Sequence, residues 1–228
     1  MVHTSGRTDH HGHDRLIHWA WVYDLTGGLL GRRGNRMRAM LADDLQLQPG
    51  DRVLDVGCGP GRLAMVFAER VGAAGSVNGI DPAAEMIKRA SSRARKRGLP
   101  ATFQVAFAQD LPFADGTFDA VACSLALHHV AEDDQLTAVQ EMSRVLKSSG
   151  RLLIAEFHQG PGRRRRPGPR WLRHSGEDML DKAVRLVSAS GFTDLASGST
   201  NLGWLGKITA RKPENPAPPA DPGQSKQS

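Results

Sequence analysis

Hydrophobic and polar positions alternate between two rhythms along this chain: short apolar runs, then stretches where apolar residues recur every three or four positions. Arg52–Val56 (RVLDV) predicts a strand that ends in a glycine loop, and Leu63–Val71 follows with helical spacing. Ser76–Ile80 is a second strand, stopped by Asp81-Pro82. Ala83, Met86, Ile87, Ala90 and Ala94 mark one face of a helix closed by Gly98. Ala101–Ala106 predicts a third strand, and Phe118–Leu127 a fourth, apolar on both faces as a buried parallel strand requires. Leu136, Val139, Met142, Val145 and Leu146 mark the next helix, with Gly150 as its stop, and Arg151–Phe157 is a fifth strand. Asp178–Ser190 reads as a helix ended by Gly191, and weaker strands near Asp194–Ser199 and Gly206–Ala210 close the series.

This alternation predicts a single α/β domain. Its seven-stranded sheet is mostly parallel, joined by right-handed crossovers, with helices on both faces. In such sheets the ligand lies beyond the carboxyl ends of the strands, at the switch in strand order. The expected division is a His-rich disordered tail over 1–15, a helical cap over 16–49, the domain over 50–211 and a Pro-rich disordered tail over 212–228. A basic, substrate-side loop is expected within it at 159–175.

Composition narrows the class. The chain has 228 residues, with 39% hydrophobic and 24% charged residues, as in a soluble protein. Met1–Asp14 lacks the apolar core of a secretory signal, and no apolar run reaches membrane-spanning length. Cys58 and Cys123 make no ligand spacing, which excludes a disulfide scaffold and a structural zinc site and suggests the cytoplasm. No metal is expected. The net charge of +6 suggests a polyanionic partner at first. Six arginines between Gln159 and His174 account for the whole excess, since the remainder holds 24 residues of each sign. On this arithmetic one segment is basic and the domain is not.

After the first strand comes Asp55-Val56-Gly57-Cys58-Gly59-Pro60-Gly61, where glycines at steps of two permit a tight turn and close approach of a ligand. The dinucleotide fingerprint fails because Arg62 stands where its third glycine belongs, and no phosphate-loop G-K-[ST] follows. Asp81, at the end of the second strand, is placed to accept from two ribose hydroxyls; it reads equally as a helix cap. Gln109-Asp110-Leu111-Pro112-Phe113 offers another acid near the same crevice, or a turn.

Together DVGCGPG, GIDP, QDLPFADGTFDAV and LHHV…EMSRVLKSSGRLLIAEF resemble the class I S-adenosylmethionine-dependent methyltransferases, in particular their UbiE-like or methyltransferase-11 branch. The likeness covers roughly residues 50 to 157 and weakens toward 211. Ser148-Ser149-Gly150 departs from the family's Pro-Gly-Gly. The resemblance implies a Rossmann-like methyltransferase fold and S-adenosyl-L-methionine as cofactor, leaving S-adenosyl-L-homocysteine. It implies that Asp55, Gly57, Cys58, Gly59 and Gly61 line the methionine end of the cofactor. Asp81 would hold the ribose, with Pro82 and Met86 beside the adenine. Asp110 would take the adenine amine and Leu111 would flank the ring, with Gln109 a further cofactor contact, and Ser124 would touch the methionyl part. Tyr23 resembles the family's N-terminal aromatic cover and reads equally as core packing.

His128 and His129 follow the fourth strand directly and face the transferable methyl on this reading; either is placed to take a proton. The alternative for His129 is that it braces the loop. Glu156 is a further acid or base, or a structural carboxylate.

The expected function is methyl transfer to oxygen, nitrogen or carbon of a small molecule by in-line displacement. The alternatives are a lipid or quinone methyltransferase at the membrane surface, or a cofactor-binding partner protein that does not methylate. The basic Gly31–Arg38 segment is read as a helix packed over the cofactor in preference to a membrane contact. The Arg163–Arg166 run has only Trp171 nearby for stacking, which speaks against nucleic acid.

Overall fold

The computed structural model describes residues 31–158 and 178–214. The elements follow the expected alternation: α1 (Gly31–Asp44), β1 (Arg52–Val56), α2 (Arg62–Val71), β2 (Ser76–Asp81), α3 (Ala84–Arg97), β3 (Ala101–Val105) and β4 (Phe118–Ser124). After two short 3-10 turns, Leu127–His129 and Glu132–Asp134, come α4 (Gln135–Val145), β5 (Leu146–Phe157), α5 (Met179–Ala189), β6 (Thr193–Ser199) and β7 (Leu205–Arg211).

The seven strands form one sheet in the order β3-β2-β1-β4-β5-β7-β6. Pairing is parallel from β3 to β5, whereas β7 runs antiparallel to both β5 and β6. Strand order reverses between β1 and β4, so the crevice for a ligand opens beyond their carboxyl ends.

Side-chain alternation divides the core in two. Val53, Ala120, Ala122, Leu153 and Leu205 point to one face, where α1, α2 and α3 supply Leu41, Phe67 and Ala94. Leu54, Val121, Cys123, Ile154 and Ile208 point to the other, under Val139 and Met142 of α4 and Ala183 and Val187 of α5. The segment read as a cap over the cofactor is thus, over 31–44, a helix seated on the sheet face with Leu41 and Ala42 buried.

Two boundaries differ from expectation. The helix ends at Val145, not at Gly150, because Leu146 already pairs with Phe118 and the fifth strand begins there. Gly150 therefore lies inside β5, where a Cβ would stand 2.7 Å from the Lys147 carbonyl. The fourth strand stops at Ser124 because Leu125 adopts φ +55° and turns the chain out of the sheet. A bulky residue in the left-handed region is costly, and such positions cluster where function needs a sharp turn.

Candidate active site

The loop after β1 is fixed by backbone contacts. Cys58 N–H donates to the Ile80 carbonyl at 2.8 Å, Gly61 N–H to the Cys58 carbonyl at 3.0 Å, and Arg93 donates to the Pro60 carbonyl. Gly57, Gly59 and Gly61 all have positive φ, yet their surroundings differ. A Cβ on Gly57 would lie 2.3 Å from the Ala126 Cβ, and one on Gly61 would lie 2.8 Å from the Ala90 Cβ. A Cβ on Gly59 would meet nothing within 4 Å. Gly57 and Gly61 are closed by packing, while Gly59 faces open space in the crevice.

Asp81 joins the loop to the next helix. Its Oδ2 accepts from Gly59 N–H and its Oδ1 from Ala83 N–H, each at 2.9 Å. The helix-cap reading and a place at the crevice therefore coexist. Burial raises its carboxyl above the usual range, and those two backbone donors pull it back. Beside it, Asp55 is 1% exposed and its Oδ2 has no hydrogen-bond partner. Burial above all pushes its carboxyl up to about 7; the Ala64 backbone N–H opposes that and the Asp81 charge adds to it. An orphaned carboxylate oxygen in a closed site asks for a donor, best a cationic one.

Beyond β4 the turn carries the two histidines. Glu156 on β5, 1% exposed, accepts from His128 on both oxygens: Nδ1 lies 2.7 Å from Oε2, and the His128 backbone N–H donates to Oε1 at 3.3 Å. His129 packs against His128 with ring centroids 4.0 Å apart and the rings tilted by 46°, and it is exposed. Packed surroundings above all, and then its neighbour His128, lower the His129 imidazole to about 4, an effect that contact with water tempers. The geometry separates the two: His128 is held by a buried carboxylate and His129 is not.

The remaining expected residues lie on the segments that follow β2 and β3 and at the end of β4. Met86 and Leu111 are buried, Pro82, Gln109 and Ser124 are half-buried, and Asp110 is exposed. Cys58 is buried and its thiol is raised by burial first and by Asp55 and Asp81 next. Tyr23, the N-terminal histidines and the Arg163–Arg166 run lie outside the described residues.

Sequence reasoning missed the supports of the Asp110 loop. Arg144 on α4 donates to the carbonyls of Leu111 at 3.0 Å and Phe113 at 2.8 Å and pairs with Asp115 at 2.7 Å. Glu141 binds Arg144 and accepts the Leu111 N–H at 2.9 Å. Their spacing of three on one helix was the available signal. Ala126 carried none, since its role appears only when β4 meets the glycine loop.

The chain is similar to known proteins in sequence and in fold. A methyltransferase domain model matches residues 53–150. The methyltransferase GfsG of Streptomyces halstedii is 37% identical over 130 residues, 56% of this chain and 45% of that protein. A ubiquinone/menaquinone biosynthesis C-methyltransferase UbiE, from Bdellovibrio bacteriovorus, is 40% identical over 110 residues, 48% of this chain and 46% of that protein. The matched part thus spans slightly under half the length of these two relatives. Among solved structures, the cyclase SpnF superposes with a TM-score of 0.68 at 25% identity, covering 80% of this chain and 82% of that one. Its glycine loop, sheet order and relatives make the chain similar, over the matched 53–150 stretch, to the class I S-adenosylmethionine-dependent methyltransferases and in particular to their UbiE-like branch.

Proposed function

We propose that the protein is a cytoplasmic enzyme that transfers the methyl group of S-adenosyl-L-methionine to oxygen, nitrogen or carbon of a small molecule. The observation that carries this reading is the pair of buried carboxylates at the glycine loop. Asp81 is anchored by one bond per oxygen, so each keeps a lone pair for a vicinal diol. Asp55 Oδ2 has no partner and suits the cationic amine of an amino acid. The open space over Gly59 admits the chain between them. Ribose and methionyl ends of the cofactor meet these demands together.

When bound, the sulfonium supplies an already activated methyl, so the protein is left with alignment, exclusion of water and proton removal. Gly59 brings backbone within reach of the ligand. Ser124 and the turn through Ala126 set the floor of the crevice between β1 and β4. His128, with Nδ1 facing Glu156, presents Nε2 as the proton acceptor for an acceptor molecule that must lose one. Tyr23, Pro82, Met86, Gln109, Asp110 and Leu111 complete the cofactor's surroundings on this reading. Two free cysteines suit a reducing compartment.

The test is calorimetric titration of S-adenosylmethionine and S-adenosylhomocysteine into wild type, Asp81→Asn and Asp55→Asn. Wild-type binding that weakens at least about tenfold, or ~1.4 kcal/mol, in each variant supports the assignment. A wild type that binds neither ligand removes it. Turnover against phenol, amine and carbon-acid acceptors then decides between transfer and mere binding. SpnF, whose crystal structure is that of a cyclase, illustrates why that step is needed.

A further inference from the structure

The two helical layers carry opposite charge. On one face, α1, α2 and α3 hold twelve Lys and Arg against four Asp and Glu. On the other, α4, α5 and the Glu132–Asp134 turn hold three basic against five acidic residues. Outside the arginine-rich 159–174 segment the chain is neutral overall, and within that remainder the fold gathers cations on one layer.

Every acid of the basic layer is already engaged. Asp43 pairs with Arg70 at 2.6 Å, Glu85 with Arg89 at 3.3 Å, Glu69 with Arg97, and Asp44 with Lys207. Arg32, Arg33, Arg36, Lys88, Arg95 and Lys96 remain, all exposed and without an acidic partner among the described residues. The end of α1 leads through 45–51 into the start of β1 and is tied by Asp43–Arg70 to the end of α2, which itself leaves the carboxyl end of β1. Both helices therefore run from the carboxyl-end rim of the sheet toward the opposite one. The start of α1, with its three arginines, therefore lies on the rim where α2 begins, beside the glycine loop. Lys88, in the opening turns of α3, shares that rim, while Arg95 and Lys96 sit at the far end of the layer.

The same rim carries exposed apolar side chains. Val105 is 51% exposed and Phe107 52% exposed, at the carboxyl end of edge strand β3. Ala101 and Phe103 pack into the core beneath α1–α3, whereas Ala106 packs into the opposite one. Strand alternation therefore places Val105 on the basic side. A row of unpaired cations edged by an aliphatic and an aromatic side chain matches an anionic bilayer surface, which offers phosphates above and acyl chains just below. Among the described residues this surface exposes a single aromatic side chain, Phe107, whereas binding of single-stranded nucleic acid stacks successive bases on several. No described helix is long and apolar enough to cross a membrane.

We propose that the α1–α3 layer, with Val105 and Phe107 at its rim, docks on membranes rich in anionic phospholipid and turns the crevice toward the lipid. The test is flotation of the ligand-free full chain with vesicles of phosphatidylcholine alone or with about 30% phosphatidylglycerol. Binding is expected only to the anionic vesicles, and it should fall steeply from about 0.1 to 0.5 M salt as screening tightens. Replacing Arg32, Arg33 and Arg36 by Glu should lower partitioning about a hundredfold or more. These side chains are exposed, and an unchanged melting temperature checks that the fold survives. Val105→Ser with Phe107→Ser should remove the residue of binding that persists in high salt. Replacing Arg163–Arg166 by Ala should leave flotation in place.

Several results overturn the proposal: no flotation, equal binding to neutral vesicles, or loss only in the Arg163–Arg166 variant. Single-stranded RNA that displaces the protein from vesicles at lower concentration than inositol hexakisphosphate would reassign the layer to nucleic acid. Because no cofactor is present, the outcome is independent of the methyltransferase reading.

Discussion

Nδ1 of His128 lies 2.7 Å from Oε2 of Glu156, and the other oxygen of that carboxylate receives the backbone N–H of the same histidine at 3.3 Å. One buried acid thus fixes both the ring and the peptide of the residue that follows β4. The contact defines a tautomer, with the proton on Nδ1 and a lone pair on Nε2. Nitrogen-15 NMR of the wild type should show that tautomer in the neutral ring. In Glu156→Gln the amide is free to donate, and the preference should weaken or reverse. If His128 shows the free-imidazole tautomer ratio in wild type, the carboxylate does not orient it, and its role as a positioned base fails.

Gly57 and Gly59 separate packing from ligand access within one loop. Gly57→Ala drives a Cβ to 2.3 Å from Ala126 at φ +68°, so it should destabilise the protein by about 2 kcal/mol or more, with Ala126→Gly restoring part of the loss. Gly59→Ala at φ +50° has open space and should cost only about 1 kcal/mol of backbone strain. Its cofactor affinity should nonetheless fall more than tenfold, because the methyl occupies ligand space. Equal loss of stability in both variants, or normal binding in Gly59→Ala, would show that the loop serves structure alone.

This contrast also marks how far the sequence was legible. Period-two and period-3.6 patterns located the seven strands and the helices α2 to α5, because a sheet covered on both faces demands long apolar runs and one-sided helices; the two 3-10 turns carried no such pattern. The start of β5 escaped, since Lys147-Ser148-Ser149-Gly150 has no apolar alternation and is held by pairing of Leu146 with Phe118. In the site, the glycine spacing and Asp81 were readable as types and positions. The unpaired oxygen of Asp55, the closure of Gly57 by Ala126 and the division of charge between helical layers were not. Each arises from contacts between segments far apart in sequence, which local pattern does not encode.

Arg144 supplies a second-layer test of the adenine side. It holds the Leu111 and Phe113 carbonyls while pairing with Glu141 and Asp115. Those partners keep its guanidinium charged at any working pH, with the Glu141 bond the largest contribution. Arg144→Met should leave both carbonyls without their donor and cost about 2 kcal/mol, read as a lower melting temperature. Cofactor affinity should fall severalfold while the affinity for a ligand lacking adenine, such as methionine, is unchanged. Equal weakening of both ligands would mean that the loop does not report on the adenine end.

Asp55 ties stability, ligand binding and pH together. Burial raises its carboxyl from 3.8 to about 7, so between those values the folded state holds a proton that the unfolded state has released. Its contribution to stability is therefore full below pH 4 and is lost as pH rises through 7. Asp55→Asn should stabilise the ligand-free protein at pH 8, by at most about 4 kcal/mol before relaxation, and make no difference at pH 4. Urea melts at the two values measure this directly. A cofactor ammonium beside Oδ2 would favour the ionised form, so binding near pH 6.5 should expel a proton. Titrations in buffers of different ionisation enthalpy would record that release in wild type and its absence in Asp55→Asn. If wild type and variant melt with the same pH dependence, Asp55 is ionised like any surface carboxylate. Its unpartnered oxygen would then be satisfied by water, and the principal physical argument for an amine-bearing ligand at this position would fall.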